Sequence, residues 1–244
     1  MKTDLPFESV IIPCYNEEAY IGKLLSALTL QSYPNFEIIV SDAKSTDNSI
    51  DIIKKINFSK IKIVSSPPNG PAAQRNFGAK HATGELLLFL DADISLEDKD
   101  FIRKIVQVSV RNNWQTASAK TKTKDATIIE KLGTAINYYY LKLLSKTKHP
   151  VAPGWCILTR KDLFDSNKDF NEKIFFGEDY DYVSRASQNG FGFVENTYYF
   201  INLRRFDEDG LSFVYKCIAN EVYRHTHGYN LENSPYGYGF GKHK

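Results

Sequence analysis

At 244 residues, with 42% apolar and 25% charged side chains, the chain has a globular composition and the length of one large α/β domain, which excludes disorder and a disulfide-stapled scaffold. A surplus of 31 basic over 29 acidic residues leaves a net charge of +2, too balanced to point to nucleic acid as a partner. Cys14, Cys156 and Cys217 are far apart and form no CxxC pair, so they read as reduced thiols of an intracellular protein without structural zinc.

The amino terminus, Met1-Lys-Thr-Asp-Leu-Pro-Phe-Glu8, lacks the apolar core of a signal peptide. The apolar run Leu86–Leu90 is far short of the roughly 20 residues that span a bilayer, so a cytoplasmic chain is expected. Along the first half, β-branched runs predict strands at Ser9–Pro13, Phe36–Val40, Ile61–Val64 and Leu86–Leu90. Helices are predicted between them: one capped by Asn16 with Glu17 and Glu18 in its first turn, one after Ser45-Thr-Asp47, and one over Pro71–His81. Continuous hydrophobic strands separated by helices predict a mainly parallel sheet covered on both faces, with ligands beyond the strands' carboxyl ends. The second half reads as less regular. Helices are predicted over Asp100–Arg111, Ala126–Lys146, Asp179–Gln188 and Ser212–His225, a strand over Trp155–Thr159, and loop from Gly228 onward.

Polar clusters stand where ligands are expected. Pro13-Cys-Tyr-Asn-Glu17, Ser41-Asp-Ala-Lys-Ser-Thr-Asp47 and Asp91-Ala-Asp93 follow predicted strands, and Gly177-Glu-Asp179 opens a helix. In Asp91-Ala-Asp93 two carboxylates just past a buried strand can approach one divalent ion once the chain turns. Such hard oxygen ligands suit Mg²⁺ or Mn²⁺ together with substrate phosphate; the plainer reading is a solvated acidic turn.

Five fragments in order resemble the family 2 glycosyltransferases of GT-A fold: Ser9-Val-Ile-Ile-Pro-Cys-Tyr-Asn-Glu17, Phe36-Glu-Ile-Ile-Val-Ser-Asp-Ala-Lys-Ser-Thr-Asp47, Ala73-Gln-Arg-Asn-Phe-Gly78, Gly84-Glu-Leu-Leu-Leu-Phe-Leu-Asp-Ala-Asp93 and Phe176-Gly-Glu-Asp179. The resemblance runs from about Ser9 to about Gly228. It implies a Rossmann-like α/β sheet flanked by helices in a single domain. Residues from about 8 to 120 would form the nucleotide-sugar half, about 121 to 228 the acceptor half, and 229 to 244 a loop tail. It also implies inverting, metal-dependent transfer of one sugar from a nucleoside-diphosphate-sugar, UDP-linked in preference to GDP-linked, to a glycan or lipid-linked acceptor.

By that pattern Pro13, Tyr15, Glu17 and Asp42 would bind the donor, with the Tyr15 ring against the base and Asp42 accepting an imide hydrogen bond. Asp91 would lie near the ribose, Asp93 on Mn²⁺ or Mg²⁺, and Arg75 on the diphosphate. Asp179 would be the base that takes the acceptor's proton, with Glu178 helping to hold the acceptor. Pro153-Gly-Trp155 resembles the fold's glycine loop; Gly154 would admit a sugar and Trp155 would stack on it. His227, in Arg224-His-Thr-His227, is the preferred late metal ligand over His225.

The chain departs from the family's Asp-Asp-Gly-Ser loop. Reading Ser41-Asp42-Ala43 against it, a hydroxyl replaces one acid and alanine replaces glycine, while Lys44 adds a cation. The Gln/Arg-x-x-Arg-Trp motif of processive members is missing, with Leu203-Arg-Arg-Phe206 the nearest segment, so single addition is expected. Lys120-Thr-Lys-Thr-Lys124 beside the aromatic run Ile136–Leu144 is compatible with a peripheral membrane contact, or with a helix that packs into the core and solvates its lysines. Transfer to polyprenyl phosphate and a non-catalytic nucleotide-sugar-binding module are the alternatives.

Overall fold

The computed structural model describes residues 5–227 apart from 125, 167–168, 175 and 188–189. Four strands, β1 (Glu8–Cys14), β2 (Phe36–Asp42), β3 (Ile61–Ser65) and β4 (Leu86–Leu90), form the parallel half of a seven-stranded sheet. Their continuous apolar runs follow from burial on both faces. Val10, Ile12, Ile38, Val40, Leu88 and Leu90 enter one core, while the alternating Ile11, Ile39, Leu87 and Phe89 enter the other.

The first core is closed by α1 (Ile21–Thr29), α2 (Ser49–Lys55) and α4 (Phe101–Arg111), through Leu24, Leu25, Leu28, Ile53, Phe101 and Ile105. The second is closed by α3 (Pro71–Lys80), α5 (Ile128–Leu144), α6 (Lys161–Asp165) and α7 (Glu178–Ala186), through Ala72, Tyr138, Leu141, Phe164 and Tyr182. Each fully buried aliphatic or aromatic side chain here is worth about 1.5–3 kcal/mol relative to exposure.

The remaining strands are β5 (Thr116–Thr123), β6 (Cys156–Arg160) and β7 (Phe191–Ile201), and α8 (Arg204–His227) ends the described chain. Strand order is β3-β2-β1-β4-β6-β5-β7. β6 lies antiparallel to both β4 and β5, and β5 pairs parallel with β7. The mainly parallel α/β sheet expected from sequence is present. β1 leads outward to β2, whereas the chain returns after β3 to place β4 on β1's other side. Between β1 and β4 lies the switch point at which such sheets bind ligands.

Three expectations change. Asn16 does not cap α1: it takes a left-handed φ of 54° outside the helix, whose cap position is Tyr20 without a side-chain bond. Glu17 and Glu18 therefore precede the helix, and its first turn holds no acid. The second half is more regular than expected, because Thr116–Thr123 and Phe191–Ile201 are strands. Lys120 and Lys122 thus belong to a sheet, Lys122 lying 3.4 Å from the centroid of the Tyr198 ring. The loop expected from Gly228 onward lies outside the described residues.

Candidate active site

Three consecutive side chains of α3 tie the site together. Gln74, Arg75 and Asn76 are all buried, although one helical turn ordinarily offers only part of its circumference to a core. Here the helix lies between the sheet and the second half of the chain, and each side chain reaches a different segment. Gln74 Nε2 donates to the Cys14 carbonyl over 2.7 Å, at the end of β1. Asn76 Nδ2 donates to the Phe170 carbonyl over 2.8 Å and its Oδ1 accepts from the Phe170 N–H over 2.9 Å, pinning the segment that precedes α7.

Arg75 joins the two acidic motifs. Nη2 pairs with Asp91 Oδ1 at 2.8 Å and Nη1 with Glu178 Oε1 at 2.9 Å, while the Arg75 side chain is only 3% exposed. Burial opposes its charge, but Asp91 and Glu178 outweigh that and keep the guanidinium protonated. With both terminal nitrogens on carboxylates, Arg75 is a buried tie between acids.

After β4 the chain turns, the Ile94 N–H donating to the Asp91 carbonyl over 3.4 Å. Ala92 and Ile94 enter the first core, leaving Asp91 and Asp93 at the half-buried surface of the turn. Asp91 faces Arg75.

Asp179 stands beside this junction, in the first turn of α7. Gly177 caps the helix in the left-handed region at φ 86°, where a Cβ would be strained. The Gly154 N–H donates to Asp179 Oδ2 over 2.5 Å, and the Tyr180 N–H to Oδ1 over 2.8 Å. Burial and the neighbouring Glu178 push the Asp179 carboxyl up to about 7, against the pull of Arg75 and of these N–H donors. A carboxyl with that value is matched to proton transfer near neutral pH.

Gly154 has a packing reason to be glycine: a Cβ there would lie 2.4 Å from Arg75 Nη2 and 3.3 Å from Asp179 Oδ2. On that side the space over Gly154 is taken by the arginine. Trp155 follows, half-buried and packed against the first core, its carbonyl accepting from the Asp91 N–H over 3.3 Å.

The loops after β1 and β2 are stitched to each other. The Asn16 N–H donates to Ser45 Oγ over 3.0 Å, Asn16 Oδ1 accepts from the Thr46 N–H over 2.8 Å, and the Glu17 N–H donates to Ser49 Oγ over 2.8 Å. Asp42 is buried at the end of β2 and accepts from Ser45 Oγ over 2.5 Å. Pro13 is buried in β1 opposite Ser41, whereas Tyr15 and Glu17 are half-buried. Lys44, not Ala43, occupies the left-handed region, at φ 63°. The position at which the family loop has its glycine is therefore Lys44, and buried Ala43 stands in place of an acid.

His227 is at the end of α8, stacked on Tyr223 with ring centroids 4.4 Å apart, and His225 Nε2 lies 3.1 Å from Glu221 Oε1. The side chains of Arg204 and Arg205 lie outside the described residues. Among the described residues, no three His, Cys, Asp or Glu side chains converge as metal ligands. Magnesium-type ions are commonly held by one or two carboxylates, with water and substrate phosphate completing the shell. The Asp93 carboxylate at this turn is a hard oxygen donor, which suits an ion that arrives with a diphosphate better than one resident in a protein cage.

Sequence reasoning did not single out Gln74 or Asn76, whose partners are distant in the chain. It also missed the cluster behind α7, where Glu221 accepts from Arg224 Nε over 2.9 Å and from Tyr140 Oη over 2.5 Å, and the Arg224 guanidinium lies over the Tyr180 ring. The i, i+3 spacing of Glu221 and Arg224 was the available signal.

Residues 9–167 match the family model of glycosyl transferase family 2. Glycosyltransferase AglE of Haloferax volcanii is 29% identical over 202 residues, covering 78% of this chain and 64% of that protein. The mannosyltransferase PcManGT from Pyrobaculum calidifontis, solved in complex with GDP-Man and Mn²⁺, superposes with a TM-score of 0.72 at 18% identity, covering 91% of this chain and 64% of that one. S. aureus TarS 1-349 in complex with UDP-GlcNAc superposes with a TM-score of 0.63 at 25% identity, covering 89% of this chain and 66% of that one. The architecture is that of the GT-A glycosyltransferases. The chain spans less than two thirds of the length of the curated relatives it matches.

Proposed function

Because the chain belongs to glycosyl transferase family 2, we propose that it transfers one sugar from a nucleoside-diphosphate-sugar to an acceptor hydroxyl, with inversion, in glycan or glycolipid biosynthesis. The observation that carries the reading is the junction of Arg75 with Asp91, just past β4, and Glu178, set beside Asp179.

In this reading Asp179 is the base. Above about pH 7 it is ionised and takes the proton of the acceptor hydroxyl. The hydroxyl oxygen then bonds to the anomeric carbon as the bond from that carbon to the diphosphate oxygen breaks, on the opposite face. Gly154, through its N–H, orients the carboxylate. Glu178, held by Arg75, lines the acceptor side with Trp155.

Pro13, Tyr15, Glu17 and Asp42 form the nucleoside side, and Asp91 the ribose side. A nucleotide-sugar is supported by the complexes of the two structural neighbours with GDP-Man and UDP-GlcNAc, and we favour a UDP-sugar over a GDP-sugar. Asp93, with His227 as the second protein ligand, would hold Mn²⁺ or Mg²⁺. Such an ion supplies Lewis-acid neutralisation of the charge that grows on the leaving diphosphate.

A thermal-shift screen of UDP-, GDP- and dTDP-sugars with Mn²⁺ tests the reading. At 100 times its Kd a specific donor stabilises the fold by about 2.7 kcal/mol, a resolvable rise in melting temperature. Asp93→Ala should remove the Mn²⁺ dependence of donor binding measured by calorimetry. A melting temperature indifferent to every donor would refute the proposal.

A further inference from the structure

Ten of the 13 large apolar side chains that the described residues expose lie on two helices, α5 and α8. On α5, Ile128, Leu132, Ile136, Tyr139 and Leu143 recur every three or four residues and so share one face, with Ile129 and Tyr140 beside it. Their exposure runs from 38% for Tyr140 to 85% for Ile128. The buried residues of this helix are only Tyr138 and Leu141, which enter the second core. On α8, Tyr215, Ile218 and Val222 repeat the pattern, and the Tyr140–Glu221 hydrogen bond sets the two helices side by side. The helix is also well formed: Thr127 and Glu130 close a capping box at its start. An apolar surface this continuous on a soluble fold marks an interaction site.

Charge decides the occupant. Of the seven lysines between residues 120 and 148, Lys120 and Lys122 belong to β5 and Lys124 and Lys142 pair with Glu97 and Glu195, which leaves Lys131, Lys146 and Lys148 to the helical face. Lys131, Lys146 and Lys148 are exposed along and just beyond α5. A second copy of the chain meeting this face about a two-fold axis would bring like charges together. An anionic lipid surface instead takes the apolar stripe at its acyl boundary and the lysines at its headgroups. We propose that the α5–α8 face docks on an anionic membrane surface.

The face also adjoins the site. α5 runs into the segment that carries Gly154, and Asn220 of α8 donates to the Phe176 carbonyl, at the approach to α7, over 3.4 Å. Docking there brings the Asp179 end of the chain toward the bilayer and suits an acceptor carried in it. That last consequence rests on the transfer reading above, whereas the docking surface does not.

The test is co-sedimentation of the full chain with vesicles of phosphatidylglycerol and phosphatidylcholine in equal parts, against vesicles of phosphatidylcholine alone. The chain should sediment with the anionic vesicles, less so at high salt. The variant Ile128→Ser/Leu132→Ser/Ile136→Ser alters only exposed side chains and should weaken sedimentation at least about tenfold. The variant Lys131→Glu/Lys146→Glu/Lys148→Glu should do the same, since each lysine is worth about fivefold in partitioning at such a surface. Wild-type chain that stays in the supernatant with anionic vesicles overturns the inference, as does a dimer that the serine variant converts to monomer in light scattering. Chain that binds a donor sugar yet ignores the vesicles leaves the transfer reading standing without this surface. Chain that sediments yet binds no donor keeps the surface and removes that reading.

Discussion

Gly154 donates its N–H to Asp179 over 2.5 Å while its α-carbon leaves no room for a side chain, since a Cβ would come within 2.4 Å of Arg75 Nη2. One backbone position therefore fixes the Asp179 carboxylate and the arginine that ties the acidic motifs together. Gly154→Ala has to displace Arg75, which two ion pairs hold in place. Misplacing a reacting group by an ångström costs about 10²-fold, so transfer should fall by that order while the donor-induced thermal shift persists. An unchanged rate would mean that this contact does not position the base.

Arg75 should dominate the stability of the site. Removing one partner from a buried ion pair leaves uncompensated charge and typically costs about 3–5 kcal/mol. Arg75→Met should show that loss in urea unfolding at neutral pH. Arg75→Lys should fall between it and the wild type, because an ammonium cannot fork to Asp91 and Glu178 together. Equal stability of the methionine variant would contradict the buried triad.

Glu8 carries the opposite liability. It is fully buried in β1, and neither carboxyl oxygen has a hydrogen-bond partner. Burial raises its carboxyl well above the usual carboxylate range, so the folded chain keeps the proton to higher pH than the unfolded chain does. Stability is then greatest below the unfolded pKa and declines as pH rises through the folded one. Glu8→Leu should raise stability by about 1–3 kcal/mol and flatten that decline, read from urea midpoints across the neutral range. A steeper decline in the leucine variant would show that Glu8 is not the group responsible.

Much of this architecture could be read from the residues. The parallel half was legible because each strand is an uninterrupted apolar run, and because both acidic motifs sit at element ends. Thr116–Thr123 was not, since its sequence TASAKTKT alternates small and cationic side chains and carries no large apolar residue. Its pairing with β7, which shifts register between Ala119 and Lys120, supplies what the local sequence lacks. Asn16 looked like a helix cap because asparagine favours that position; the winning partner was Thr46, 30 residues away. Nothing local to Arg75 marked it as the partner of Glu178, 103 residues distant.

Asp179 as the acceptor's base is the claim on which the proposed chemistry turns. Its raised carboxyl also predicts that fold stability declines as pH rises through about 7, where ionisation is disfavoured in the folded state, and that Asp179→Asn lessens this decline. The most direct measurement is the initial rate of sugar transfer against pH for the wild type and Asp179→Asn, with donor affinity measured on the same preparations. The wild-type rate should climb as pH passes through about 7, and the asparagine variant should lose about 10²–10⁴-fold with donor affinity intact. Transfer by the asparagine variant at the wild-type rate, or a wild-type profile flat across neutrality, would contradict the account.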